Sequence, residues 1–147
     1  MRVSEAMTHD VSTVRPDETL QQAALKMAEL DAGVLPVGAD DRLVGMITDR
    51  DIAVRAVAKG NGPETKVRDA MSEDVKYCFE DEDLDAVQKN MGYIRVRRLP
   101  VVNRQKRLVG IVSLGDIVST TRNARKAGQA LAGISQPGGG HSQALQR

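Results

Sequence analysis

Two short stretches place a hydroxyl residue three positions ahead of a carboxylate, where an apolar run gives way to a polar one. They are Thr48 and Asp51 in GMITDRDI, and Ser113 and Asp116 in GIVSLGDI. The apolar run reads as a strand and the continuation as a helix. The hydroxyl and the first backbone N–H groups then lie at the helix's positive end, which suits an anion such as phosphate. A carboxylate there repels phosphate, but it accepts two hydrogen bonds and so suits the adjacent hydroxyls of a ribose. The expected division is Thr48 and Ser113 toward phosphate, Asp51 and Asp116 toward sugar. The same spacing also makes an N-terminal helix cap, and the two roles are compatible.

A flat base beside such a sugar needs an apolar slot. Val14, Leu35, Pro36 and Ile47 stand at suitable strand ends in the first copy, and Cys78, Leu99, Pro100 and Val112 in the second. Each is equally a core residue. Guanidinium groups bind phosphate in a two-pronged fashion, which marks Arg50, between Thr48 and Asp51, and Arg97 and Arg98 in RVRRLP. Leu114-Gly115 replaces Asp49-Arg50 and removes both charges, so the two sites are expected to be unequal, with their order left open.

These residues must be positioned by a duplicated unit. At an offset of 64, Val3, Ala6, Met7, Asp10 and Val11 fall on Val67, Ala70, Met71, Asp74 and Val75, and Leu35-Pro36-Val37 falls on Leu99-Pro100-Val101. At 65, Arg42-Leu43-Val44-Gly45 meets Arg107-Leu108-Val109-Gly110 and Asp51-Ile52 meets Asp116-Ile117. The slip falls between GADD and NRQK, where a hairpin loop absorbs an insertion. Each copy reads as a helical turn, a brief strand (11–14 or 75–79), and a helix with apolar Leu20, Ala23, Ala24, Met27 and Leu30, or Leu84, Val87 and Met91. Two strands follow (34–37 with 43–48, 99–102 with 108–113), then a second helix. The fold class is α+β, built of tandem β-α-β-β-α repeats with pseudo-two-fold symmetry, packed through their sheets. The expected divisions are repeat 1 at 1–58, a Gly- and Pro-bearing linker at 59–66 and repeat 2 at 67–120. Residues 121–147 follow as a helical and then flexible tail.

Composition narrows the function. A net charge of +1 gives no global pull toward nucleic acid or an anionic membrane. One cysteine, Cys78, excludes an internal disulfide. No apolar leader or spanning run is visible, so the expectation is a cytoplasmic protein without membrane contact. No HExxH, Walker A or GxSxG pattern appears, and His9 and His141 stand alone, so neither catalysis nor a metal site is expected.

The AMT and AMS openings, TVRPDETLQQAALKM, the two LPV strands, and the GMITDRDI and GIVSLGDI closings resemble a cystathionine-β-synthase (CBS) domain pair of the stand-alone type. The resemblance covers about residues 3–119. It implies a non-catalytic regulatory module that binds an adenine nucleotide (AMP, ADP or ATP) in two clefts, forms a homodimer and acts on a separate protein target. It alone implies that backbone groups at Thr13-Val14 and Tyr77-Cys78 read the base edge. Two rivals stay open: nucleic-acid binding through the block from Arg95 to Arg107, which lacks stacking aromatics, and a dimerising scaffold with vestigial clefts.

Overall fold

The computed structural model describes residues 1–135. Of the stretch SQPGGGHSQ only Ser135 is among them, so the expected flexible tail and His141 lie outside the described residues. The chain divides into two compact units, one formed by residues 12–75 and one by residues 1–11 with 76 onward.

In the unit of residues 12–75, helix α1 (Leu20–Leu30) is followed by strands β1 (Val34–Ala39) and β2 (Arg42–Thr48). Helix α1 starts where the sequence offers a cap: Thr19 Oγ1 accepts from Gln22 N–H at 3.2 Å, and Gln22 Oε1 accepts from Thr19 N–H at 2.8 Å. Leu20, Ala23 and Met27 face the core, whereas Ala24 and Leu30 lie exposed. The two strands pair antiparallel around Asp40 and Asp41, both at positive φ (53° and 64°), the conformation a two-residue primed turn requires. After β2 come a short helix α2 (Asp49–Asp51), a π-helical turn at Ile52–Ala56 and a 3-10 turn at Val57–Lys59.

The first expected strand contracts to one parallel bridge, Val14 to Val37. Its neighbours are committed elsewhere: the Thr13 carbonyl accepts from Lys26 Nζ at 2.6 Å, and Arg15 N–H donates to Glu18 Oε1 at 2.9 Å.

The second unit carries strand β3 (Cys78–Phe79), helix α3 (Leu84–Ile94), strands β4 (Arg98–Val102) and β5 (Leu108–Ser113), and helices α4 (Leu114–Thr121) and α5 (Ala124–Ile134). Strand β3 runs parallel to β4, and β4 pairs antiparallel with β5. Helix α5 lies directly on α3 because small residues meet there: a Cβ on Gly92 would stand 2.8 Å from Ala130 Cα.

The compact units are cut differently from the sequence repeats. Val3, Ala6 and Met7, which open the first repeat, are buried with Leu84, Met91 and Leu99 of the second. Val67 and Ala70, which open the second, are buried with Leu20, Leu35 and Ile47 of the first. Edge pairing follows suit, Thr8 bridging Ile111 and Met46 bridging Ser72.

Candidate functional site

The two hydroxyl–carboxylate pairs are reciprocal helix caps. Thr48 N–H donates to Asp51 Oδ2 at 3.0 Å, and Asp51 N–H donates to Thr48 Oγ1 at 3.0 Å. In the second repeat Ser113 N–H donates to Asp116 Oδ2 at 3.1 Å, and Asp116 N–H to Ser113 Oγ at 3.0 Å. One oxygen of each carboxylate, and each hydroxyl as an acceptor, is thereby used within the fold.

Beyond this shared cap the repeats diverge. Asp51 is 4% exposed, and its Oδ1 lies 3.7 Å from Arg55 Nε. The same guanidinium donates from Nη1 to the Met71 carbonyl at 3.2 Å. Asp116 is half-buried, and four residues on from it stands Thr120, which carries no charge.

The helix starts differ as well. In the first repeat Asp49 N–H donates to the Gly33 carbonyl at 3.0 Å, and Arg50 N–H to Asp49 Oδ1 at 2.8 Å. With Asp51 N–H on Thr48, all three leading donors are satisfied and a carboxylate already occupies the positive end. The expectation of free N–H groups for phosphate at Thr48 therefore fails. In the second repeat Leu114 N–H donates to the Arg97 carbonyl at 2.9 Å, but neither Leu114 nor Gly115 brings an acceptor to the Gly115 N–H. The backbone position held by Gly33 beside Asp49 is held here by Arg97, and Arg98 pairs in register with Ser113. The first start carries the Asp49 carboxylate, and the second has the Arg97-Arg98 backbone beside it.

The remaining expected residues lie in the same unit as the cap of their own copy. Leu35 pairs with Ile47, and Val14 N–H donates to the Pro36 carbonyl at 3.1 Å; Val14, Leu35, Pro36 and Ile47 are all buried. Leu99 pairs with Val112, and Cys78, Leu99, Pro100 and Val112 are buried likewise. Arg50 is exposed beside Asp49. The Thr13 carbonyl, expected to read a base, holds Lys26 Nζ instead. Tyr77 is exposed and meets Phe79 edge to face at 5.7 Å. Burial pushes the Cys78 thiol up to about 12, with the Glu82 charge adding, so it is held as the protonated thiol at neutral pH.

Of the basic block, Arg104 forks onto Asp81 (Nε to Oδ2 2.9 Å, Nη2 to Oδ1 2.8 Å) and stacks 4.2 Å above Phe79. That commitment removes one cation from any polyanion surface. Among the described residues no three His, Cys, Asp or Glu side chains gather as metal ligands, and no helix is long and apolar enough to cross a membrane.

Two features escaped the sequence reading. Arg55 was signalled by its i,i+4 spacing from Asp51. A groove of about 1220 Å³ beside α3 and α5, bordered by Lys89, Tyr93 and Lys126, holds Arg95 of the basic block but none of the residues expected at the ribose, phosphate or base. Gln88 on its wall is 1% exposed, and neither carboxamide atom has a hydrogen-bond partner among the described residues.

The model of the family described as "CBS domain" matches residues 3–57 and again 67–122. The CBS domain-containing protein YhcV of Bacillus subtilis is 40% identical over 133 residues, covering 90% of this chain and 94% of its own. Among solved structures, CBSX2 in complex with AMP aligns with a TM-score of 0.73 at 25% identity, over 84% of this chain and 98% of that one. The CBS domain pair of MJ0100, in complex with 5′-methylthioadenosine and S-adenosyl-L-methionine, aligns with a TM-score of 0.73 at 27% identity, over 85% and 98%.

Proposed function

Because the chain belongs to the CBS domain family as a tandem pair, we propose that it is a regulatory module that binds an adenosine-bearing ligand such as AMP, principally at its second repeat. Asp116 accepts from the ribose hydroxyls. Ser113, Arg97 and Arg98 face the phosphate, and the apolar strand ends Leu99, Pro100 and Val112 flank the base. The observation that carries the reading is the difference between helix starts: the Asp49 side chain caps one, while at the other Leu114 N–H meets the Arg97 carbonyl and Leu114-Gly115 bring no carboxylate. The ligands named for CBSX2 and MJ0100 share the adenosine group, which supports the same class here. Asp51 marks a secondary site. Leu25, Val54 and Val57 are exposed apolar side chains that a homodimer could cover. Occupancy reaches a protein target only if the ligand binds two arrangements with different affinity.

Thermal unfolding with AMP, GMP or inorganic phosphate tests the reading, because a ligand of the native state alone raises the melting temperature. AMP is expected to raise it most. No shift with any adenine compound favours the scaffold. A shift with RNA that collapses as salt rises favours polynucleotide binding.

A further inference from the structure

We propose that Arg55 is the specificity determinant that makes the two sites unequal, by holding the Asp51 carboxylate inside the fold and withholding it from a sugar diol. The proposal rests on the reading of Asp51 and Asp116 as ribose acceptors and deepens it. Both Asp51 oxygens are engaged at once, Oδ2 by Thr48 N–H at 3.0 Å and Oδ1 by Arg55 Nε at 3.7 Å. The guanidinium is fixed from its other side by the Met71 carbonyl at 3.2 Å. Only 23% of the Arg55 side chain and 6% of the Asp51 side chain are exposed, so water screens the pair weakly. A ribose reaching Asp51 has to displace a charged partner that is itself anchored.

The local backbone is also specific to this copy. Arg55 sits in the π-helical turn Ile52–Ala56, whereas the matching residues of the second repeat continue as α-helix α4. A wider turn re-aims residue 55 relative to its α-helical counterpart, and such turns concentrate at functional positions. The counterpart is Thr120, four residues beyond Asp116 as Arg55 is beyond Asp51. Arg55 thus acts as a latch on one carboxylate only, and the two sites differ in the freedom of an identical ligand group.

Titration calorimetry of the full chain with AMP tests this, using wild type, Asp116→Asn, Asp116→Asn with Arg55→Gln, and Thr120→Arg. Asparagine keeps an acceptor for the Ser113 cap, and circular dichroism checks that each variant is folded. Asp116→Asn is expected to remove the principal binding step. Adding Arg55→Gln should strengthen the residual binding at least about fivefold. Thr120→Arg, at an exposed position where i,i+4 pairing with Asp116 is available, should weaken the wild-type step by at least about fivefold. Loss with Asp116→Asn, no recovery with Arg55→Gln and no weakening with Thr120→Arg overturns the latch and leaves the site reading standing. Absence of AMP binding by all four proteins overturns both.

Discussion

Met7 Sδ lies 2.6 Å from the point where a Cβ on Gly110 would stand, and the Thr8 carbonyl oxygen lies 2.8 Å from it. Gly45 repeats the relationship with Met71 Sδ and the Ser72 carbonyl, both at 2.8 Å. The glycines let the opening segment of one repeat close on the strand of the other. A methyl group there collides with backbone oxygen, which cannot swing aside as a side chain does. Gly45→Ala and Gly110→Ala should each cost about 1–3 kcal/mol. Gly128→Ala, on α5 with nothing within 4 Å of the added methyl, should stabilise by up to about 1 kcal/mol. Denaturant unfolding of the three variants separates the cases.

Exchange of the opening segments makes a second prediction. Val3 and Val67 are fully buried, each in the unit built on the other repeat. Val3→Ala and Val67→Ala should each lower stability by about 2 kcal/mol, and equally, because the cores are copies. A neutral Val3→Ala, read by the same unfolding curves, contradicts the packing.

Cys78 gives a prediction in alkali. Its thiol is held up to about 12 against an ordinary 9.0, so the folded state resists losing the proton. The stability this confers is complete below pH 9 and is lost as pH rises toward about 12. At pH 8 a disulfide reagent should label Cys78 slowly in native protein and rapidly in denaturant. Equal rates contradict the burial.

The acid side belongs to Asp81. The Arg104 hydrogen bonds, with its charge, hold the carboxyl below 3.8. The contribution is present above that pH and fades as pH falls through the lowered value. Carbon-detected NMR titration should place the Asp81 midpoint below the ordinary aspartate range and find it returned there in Arg104→Gln. An unchanged midpoint contradicts the forked pair.

The duplication, the hairpins and the four-residue caps were legible because each is local: apolar alternation, a hydroxyl three residues before a carboxylate, acidic residues at a turn. What was not legible depends on distant chain. Val14 keeps only one bridge because Lys26 and Glu18 take its neighbours' polar groups. Val3 and Val67 carry no sign of which core receives them. The N–H groups after Thr48 read as a phosphate site, yet the Asp49 side chain takes the Arg50 N–H and the Gly33 carbonyl, from before β1, takes the Asp49 N–H. Arg55 was written four residues after Asp51, but its anchor, the Met71 carbonyl, comes from the opening of the other repeat. Gln88 sits in an apolar helical phase where nothing in the sequence foretells a buried amide without a partner among the described residues.

The inequality of the two sites is tested most directly by calorimetric titration with AMP of Asp116→Asn and Asp51→Asn beside the wild type. The predicted result is loss of the main binding step in Asp116→Asn, at least about tenfold in affinity, with Asp51→Asn close to wild type. Equal losses in both, or none in Asp116→Asn, would contradict it.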